Sequence, residues 1–292
     1  ALVLPMVRSL TSLLCASWFV ADPARMSINQ ATTREQYSLA EAIVAYAQAG
    51  VTGISIWRDK LAECGLNEAV RMLDDHGLRI SGLCRAGQFS GATNKERQAR
   101  IDDNLLAVDQ AVTLGADCLI VVAGGLPNGS KDIAGARSMI RDGLGAVLPH
   151  ARASGIPVAI EPLHPMYAAE RCAINTLSQA LDLCDVFGDG IGVAVDIYHV
   201  WWDPDLEAQI KRAKDRVLAY HVSDWLVPTN DLLLDRGMMG DGIVDIPKIT
   251  GWIDDVGYDG LIEVEIFSSE NWWKRPGDEV IRTCQERFRK AV

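Results

Sequence analysis

Four apolar runs in the second half of the chain each end on a side chain able to bind a metal ion: VAIE at Glu161, GVAVD at Asp196, LAYH at His221 and LIEVE at Glu265. Strands of Val, Ile, Leu and Ala bury readily. An unpaired carboxylate or imidazole does not, because removing charge from water costs more than a fold's stability margin. A compensating charge is therefore required. Three carboxylate oxygens and one imidazole nitrogen meeting at one point suit a divalent cation, with Mn²⁺ the leading expectation and Mg²⁺, Co²⁺ or Zn²⁺ compatible. The last run carries two glutamates on one face, Glu263 and Glu265. Glu265 stands nearer the strand's end and is expected as the ligand, with Glu263 as a deeper supporting group.

Other side chains cluster behind these four in the sequence. His199 follows Asp196 by three residues and is placed to hydrogen-bond a substrate hydroxyl, unless it only packs between Tyr198 and Trp201. His164 follows Glu161 by three, in EPLHP, and is either an additional acid or base or a loop cap. Arg236, within DRGMMGDG, is a candidate to grip a hydroxyl, carboxylate or phosphate, although arginines on exposed loops are common. Trp57, Trp202 and Trp225, with Trp201, Trp272 and Trp273, fall at or just after the ends of apolar runs. Indole faces suit the C–H faces of sugars, so these residues read as walls of a polyol pocket, or else as a homo-oligomer interface.

The elements that would hold these residues alternate in type. Apolar β-type runs at 27–31, 53–57, 79–84, 117–123, 157–163, 192–198, 217–223 and 261–267 are separated by helical patterns at about 35–49, 65–76, 95–114, 132–153, 174–187, 205–215 and 246–256, with a last helix at 277–290. Eight βα units predict a single (β/α)₈ TIM barrel over residues 26–292, preceded by an N-terminal extension, 1–25. Active sites of such barrels lie at the C-terminal ends of the strands, where all four candidate ligands fall, on consecutive strands five to eight. Gly50, Gly77, Gly115, Gly155 and Gly257 stand where helix C-caps are wanted, and Thr33, Asn94, Asp203 and Asp245 near helix starts. The long connection from Asp224 to Asp245 has the length of a functional loop, such as a lid.

Bulk properties narrow the partners. A net charge of −11 over 292 residues disfavours nucleic acid and anionic membranes. The odd count of 7 cysteines, without CxxC spacing, reads as reduced core thiols and hence a cytoplasmic protein. The run LTSLLCASWFVA behind Arg8 has the outline of a short signal-peptide core. It is too short to span a bilayer, and the thiol content argues for an extension instead.

The phrases AIEPLHP, VAVDIYHVWW, YHVSDW, MMGDG and IEVEIF resemble the xylose-isomerase-like TIM barrel superfamily of sugar isomerases and epimerases, which includes ketose 3-epimerases, hydroxypyruvate isomerase and inosose isomerase and dehydratase. The resemblance runs from Met26 to about Phe267. It implies that Glu161, Asp196, His221 and Glu265 bind one divalent metal and that Glu161 and Glu265 double as the acid/base pair. Members of the apurinic-endonuclease type carry further histidines on strands two to four to hold three metals. Here those strands end in IWRDK, GLCRAG and VVAGG, which implies one metal and no role in DNA repair.

The expected reaction is proton transfer beside the carbonyl of a keto-sugar through a metal-stabilised enediolate, giving epimerisation or isomerisation. Two alternatives stand beside it. One is a lyase or dehydratase that expels a β-substituent from an oxidised sugar, cyclitol or glycoside, with His164 as the added acid or base. The other is a metal- or sugar-binding subunit without turnover.

Overall fold

The computed structural model describes residues 21–292. The signal-like apolar run and Cys15 lie outside the described residues. Eight parallel strands close a barrel: β1 (Met26–Asn29), β2 (Gly53–Trp57), β3 (Arg79–Gly87), β4 (Leu119–Val122), β5 (Val158–Ile160), β6 (Ile191–Asp196), β7 (Val217–Val222) and β8 (Ile262–Val264). Each pairs with its neighbour in sequence, and β8 closes the ring on β1 with Met26 opposite Ile262. Eight main helices cover the outside: α1 (Leu39–Gln48), α2 (Leu66–His76), α3 (Asn94–Leu114), α4 (Ile133–Ala153), α5 (Leu177–Phe187), α6 (Leu206–Ala213), α7 (Ile246–Asp255) and α8 (Gly277–Ala291). The expected TIM barrel is therefore what the chain forms.

The two-residue periodicity of a strand explains how apolar segments deliver charged groups. On β5 to β7, Ala159, Ala194 and Ala219 share a small cluster with Cys118 and Ile120, while their neighbours Val158, Ile160, Val193, Val195 and Tyr220 pack into the larger core with the helices. The alanines thus face the barrel axis. Two residues further along each strand, the same inward series reaches Glu161, Asp196 and His221. On the eighth strand, Glu263 and Glu265 continue it. Register then sets the lateral contacts, with Asp196 opposite His221 and His221 opposite Glu263.

Two strands are shorter than their apolar runs predict. Residues 157–163 contribute only Val158–Ile160, and 261–267 only Ile262–Val264. The backbone nevertheless stays tied beyond those ends: Glu161 donates its N–H to the Val121 carbonyl at 3.0 Å and Glu265 to Val222 at 3.1 Å. Two ligands are thus fixed by the ladder although they stand just outside it.

Helix ends follow the glycines but not every expected N-cap. Gly50, Gly77, Gly115, Gly155 and Gly257 all have positive φ, between 68° and 84°. Asp245 caps α7 as expected, and Thr93, rather than Asn94, caps α3. Thr33 belongs to a short 3-10 turn and bonds the Tyr46 hydroxyl at 2.7 Å, so α1 starts later, on a Ser38/Glu41 capping box. A helix that periodicity did not show, Arg58–Cys64, follows β2; Arg58 pairs with Asp103 on α3. Its seven residues are too few to display a period.

The end of β3 is held by an unusually close approach. Gly87 has φ 102°, its N–H donates to Asn104 Oδ1 of α3 at 2.6 Å, and a Cβ at this position would lie 2.1 Å from the Val122 carbonyl oxygen. Gly87→Ala is expected to destabilise the protein by about 2 kcal/mol or more, from both the positive φ and the backbone clash. Urea unfolding checks this, and an unchanged midpoint would contradict it.

Candidate metal centre

Glu161, Asp196, His221 and Glu265 each present one ligand atom, and the four atoms lie within 4.8 Å of one another. All four side chains are buried. His221 Nδ1 stands 3.2 Å from Glu161 Oε1 and 3.7 Å from Glu265 Oε2, while Nε2 points the other way, 3.6 Å from Glu263 Oε1. Neither ring nitrogen makes a hydrogen bond of good geometry. A buried imidazole nitrogen aimed at two carboxylates without bonding either is what a cation-binding donor set would leave. The donors thus fit a divalent ion, and Glu263 stands where a carboxylate can orient the imidazole from behind.

Below the four donors lies a polar floor that sequence reasoning did not anticipate in full. Asn29, at the end of β1, donates to Glu263 Oε1 at 2.6 Å and to Glu265 Oε1 at 2.9 Å. Its own Oδ1 accepts from the Trp57 indole N–H at 2.8 Å. Ser81 Oγ donates to Glu263 Oε2 at 2.9 Å and touches Ser27 Oγ at 2.8 Å. Glu263 is therefore the deeper, supporting carboxylate that its place on the strand suggested. Ser27, Asn29 and Ser81 were legible only as polar residues interrupting strands.

Arg236, the candidate to grip a substrate group, is only 3% exposed and is not on an open loop. It sits in a two-residue strand, Arg236–Gly237, paired antiparallel with Asp224–Trp225 inside the long connection after β7. Its Nη1 donates to Asp196 Oδ2 at 2.9 Å and to Glu265 Oε2 at 3.0 Å. The guanidinium lies over Tyr198 and Phe267, with 4.4 and 5.1 Å to their ring centroids. The loop that carries it is pinned: the Asp224 carboxylate accepts from the backbone N–H of Gly240 and Val244, and the Tyr198 hydroxyl donates to the Leu232 carbonyl.

His199 occupies the same buried corner. Its Nδ1 accepts the His164 backbone N–H at 3.2 Å, and Nε2 lies 3.6 Å from Asp196 Oδ2 and 3.2 Å from Arg236 Nη2. Burial keeps this imidazole neutral and pushes its pKa down to about 3.

A narrow cavity opens above the donors. Glu161, Glu265, His199, Arg236 and Trp57 all border it, so five of the expected site residues meet there. The others do not. His164 stacks on Trp225 with centroids 5.1 Å apart and meets Trp202 edge-on at 5.9 Å, forming an aromatic cluster beside the cavity. Among the described residues no tryptophan is fully exposed: Trp272 is buried, and Trp57, Trp201, Trp202, Trp225 and Trp273 are half-buried. The cavity is also bordered by Arg85, Tyr167 and Arg171, which no sequence pattern singled out. Among the described residues the six cysteines are all free, and no helix is long and apolar enough to cross a membrane.

A parallel eight-stranded barrel with its ionisable groups gathered at the C-terminal strand ends is a TIM barrel with its site at the usual face. The chain belongs to the xylose isomerase-like TIM barrel family, whose model matches residues 43–291. The crystal structure of protein SMc04130 from Sinorhizobium meliloti 1021 is 56% identical, with a TM-score of 0.92, over 93% of this chain and 99% of that one. An inosose isomerase of Bacillus licheniformis is 30% identical over 45% of this chain, a match spanning 47% of that protein's length. The inosose isomerase of Bacillus velezensis aligns over 92% of this chain and 97% of its own length at 24% identity.

The electrostatics predict how an ion would be taken up. Burial pushes the Glu265 carboxyl up to about 8, against the pull of Arg236 and His221. Burial opposes charge on His221, yet Glu263, Glu161 and Glu265 around it hold its pKa well above the usual imidazole value. Burial would raise Asp196 as well, but Arg236, His199 and His221 outweigh it and leave the carboxyl below its ordinary range. At pH 7 the metal-free site therefore holds protons on Glu265 and His221 that a cation must displace. Binding of Mn²⁺ should release about one to two protons, with affinity falling as pH drops. Calorimetry in buffers of different ionisation enthalpy measures this; binding without proton release would contradict it. Both shifts upward also mean that the metal-free protein loses stability as pH rises from about 4.5 through 8. The gain in Tm on adding Mn²⁺ should therefore be larger at pH 8 than at pH 6.

Proposed function

We propose that this chain is a divalent-metal-dependent isomerase or epimerase that moves a proton on the carbon beside the carbonyl of a keto-sugar or keto-cyclitol. The observation that carries the reading is the convergence of two glutamates, an aspartate and a histidine within 4.8 Å at the barrel rim. The membership of the xylose isomerase-like family and the inosose isomerases among its relatives support the substrate class. A divalent ion bound by Glu161, Asp196, His221 and Glu265 would polarise the carbonyl and offset the charge of the enediolate. Three carboxylates and one imidazole suit Mn²⁺ first, with Mg²⁺, Co²⁺ and Zn²⁺ compatible.

The protein's own groups then divide the work. Glu161 comes from the end of β5 and Glu265 from the end of β8, so they enter the cavity from different walls. One carboxylate abstracts the proton and the other returns it: to the same carbon on the opposite face for epimerisation, or to the neighbouring carbon for isomerisation. Asn29 donates to Glu265 Oε1 and Arg236 to Glu265 Oε2, which fixes that carboxylate in place. His199, neutral and bordering the cavity, is suited to hydrogen-bond a substrate hydroxyl. Trp57 and Phe267 meet edge to face at 5.6 Å and give an apolar wall.

The elimination alternative leaned on His164 as an extra acid. That ring stacks on Trp225 and does not border the cavity, which favours proton transfer over elimination. With Mn²⁺-loaded protein in D₂O, an inosose or a matching ketose should gain deuterium next to its carbonyl while the product remains an isomer. Glu265→Gln and Glu161→Gln should each lower the rate by about 10²–10⁴. NMR and mass spectrometry follow the label. Release of water from the substrate, or full activity in either variant, would contradict the assignment.

A further inference from the structure

The cationic groups around the cavity fall into two kinds. Arg236 is ion-paired with Asp196 and Glu265 through Nη1, although its own Nε has no partner. Arg85, at the C-terminal half of β3, and Arg171, in the loop after β5, border the same cavity but take part in no ion pair and no side-chain hydrogen bond among the described residues. Both are half-buried. Arg171 Nε is buried without a hydrogen-bond partner, and its guanidinium finds only the face of Tyr167, 5.6 Å from the ring centroid. The chain has a net charge of −11, and the half-buried Arg58, Arg212 and Arg287 do find Asp partners.

Bringing two guanidinium groups to one half-buried mouth costs Coulomb repulsion and desolvation. Burial and the neighbouring charge of Arg85 both work against Arg171, whose pKa is lowered. A bound anion would relieve both costs at once, and the planar fork of arginine matches a carboxylate or phosphate through two parallel hydrogen bonds.

We propose that Arg85 and Arg171 form an oxyanion clamp, so that the substrate is a keto-sugar or keto-cyclitol derivative bearing a carboxylate or phosphate. The geometry that carries this is two arginines, neither in an ion pair among the described residues, bordering the cavity that Glu161 and Glu265 also border. The inference rests on the proton-transfer reading only for the keto-sugar part; the charged group follows from the arginines alone. In this arrangement the reacting end of the substrate lies toward the carboxylates and its anionic end toward β3 and the loop after β5. Arg85 and Arg171 are thus specificity residues, and Arg236 is a positioning residue for the donor set.

Three probes of matched skeleton test the clamp against the Mn²⁺-loaded full chain: D-fructose, D-fructuronate and D-fructose 6-phosphate. Calorimetry should show at least one anionic probe binding about tenfold or more tightly than D-fructose, the gain expected of charge-assisted hydrogen bonds. The preferred probe tells carboxylate from phosphate. In Arg85→Gln and Arg171→Gln the ratio of anionic to neutral affinity should collapse toward one. Arg85→Lys and Arg171→Lys keep the charge but not the fork, and should recover part of the ratio if the glutamine variants fold poorly. D-Fructose binding at least as tightly as both anionic probes, or an unchanged ratio in the variants, would overturn the clamp. Deuterium exchange in the same samples separates the two claims. Exchange without anion preference sinks the clamp alone, and arginine-dependent anion preference without exchange on any probe sinks proton transfer alone.

Discussion

Mutual repulsion among buried carboxylates is the constraint on which the rest of this molecule turns. Glu161, Asp196, Glu263 and Glu265 all point into one end of a barrel whose interior is otherwise lined by Ala, Cys and Ile and by the few small polar groups of Ser27, Asn29 and Ser81. Left uncompensated, such a group of charges would either take up protons or open the barrel. The protein supplies part of the compensation itself, through the Arg236 guanidinium, the His221 imidazole and the donors of Asn29 and Ser81. The four donors fit a cation that would supply the remainder.

The scaffold serves this balance at each level. Alternation along the strands turns alanines inward at the middle of β5, β6 and β7 and ligands inward at their ends, so no special backbone geometry is needed to aim them. Asp196 caps the short helix Ile197–Val200 through the Tyr198 N–H and still has Oδ2 for Arg236, so one side chain orders the loop and the centre together. The connection after β7 contributes an element that a plain βα loop would lack. Its small antiparallel pair carries Arg236 beneath Tyr198 and Phe267, where its charge acts at low dielectric.

Legibility in the sequence followed the strength of the physical penalty. A carboxylate ending an apolar run is costly enough to stand out, and that signal located all four donors and the strands that bear them. Arg236 stood in a glycine-rich segment with no apolar period, so its burial could not be read; only the folded loop brings Tyr198 and Phe267 around it. Asn29 and Ser81 are small polar residues of types common in turns, and their bonds to Glu263 span 234 and 182 residues. Arg85 offers a lesson, because it ends the run GLC on β3 as Glu161 ends VAI on β5. The rule used for the acids would have flagged it had it been applied to cations. His164 and Trp225 were read from the sequence as site residues, yet their rings prefer each other to the cavity, since stacking two half-buried aromatics removes more apolar surface than facing a polar centre would.

If a single divalent ion completes the charge balance of this rim, an anomalous-difference map from crystals grown with Mn²⁺ will show one peak per chain, within about 2.5 Å of oxygens of Glu161, Asp196 and Glu265 and of Nδ1 of His221, with Arg236 still bonded to Asp196. A rim without a peak at saturating Mn²⁺, or an ion held by a different set of side chains, would contradict it.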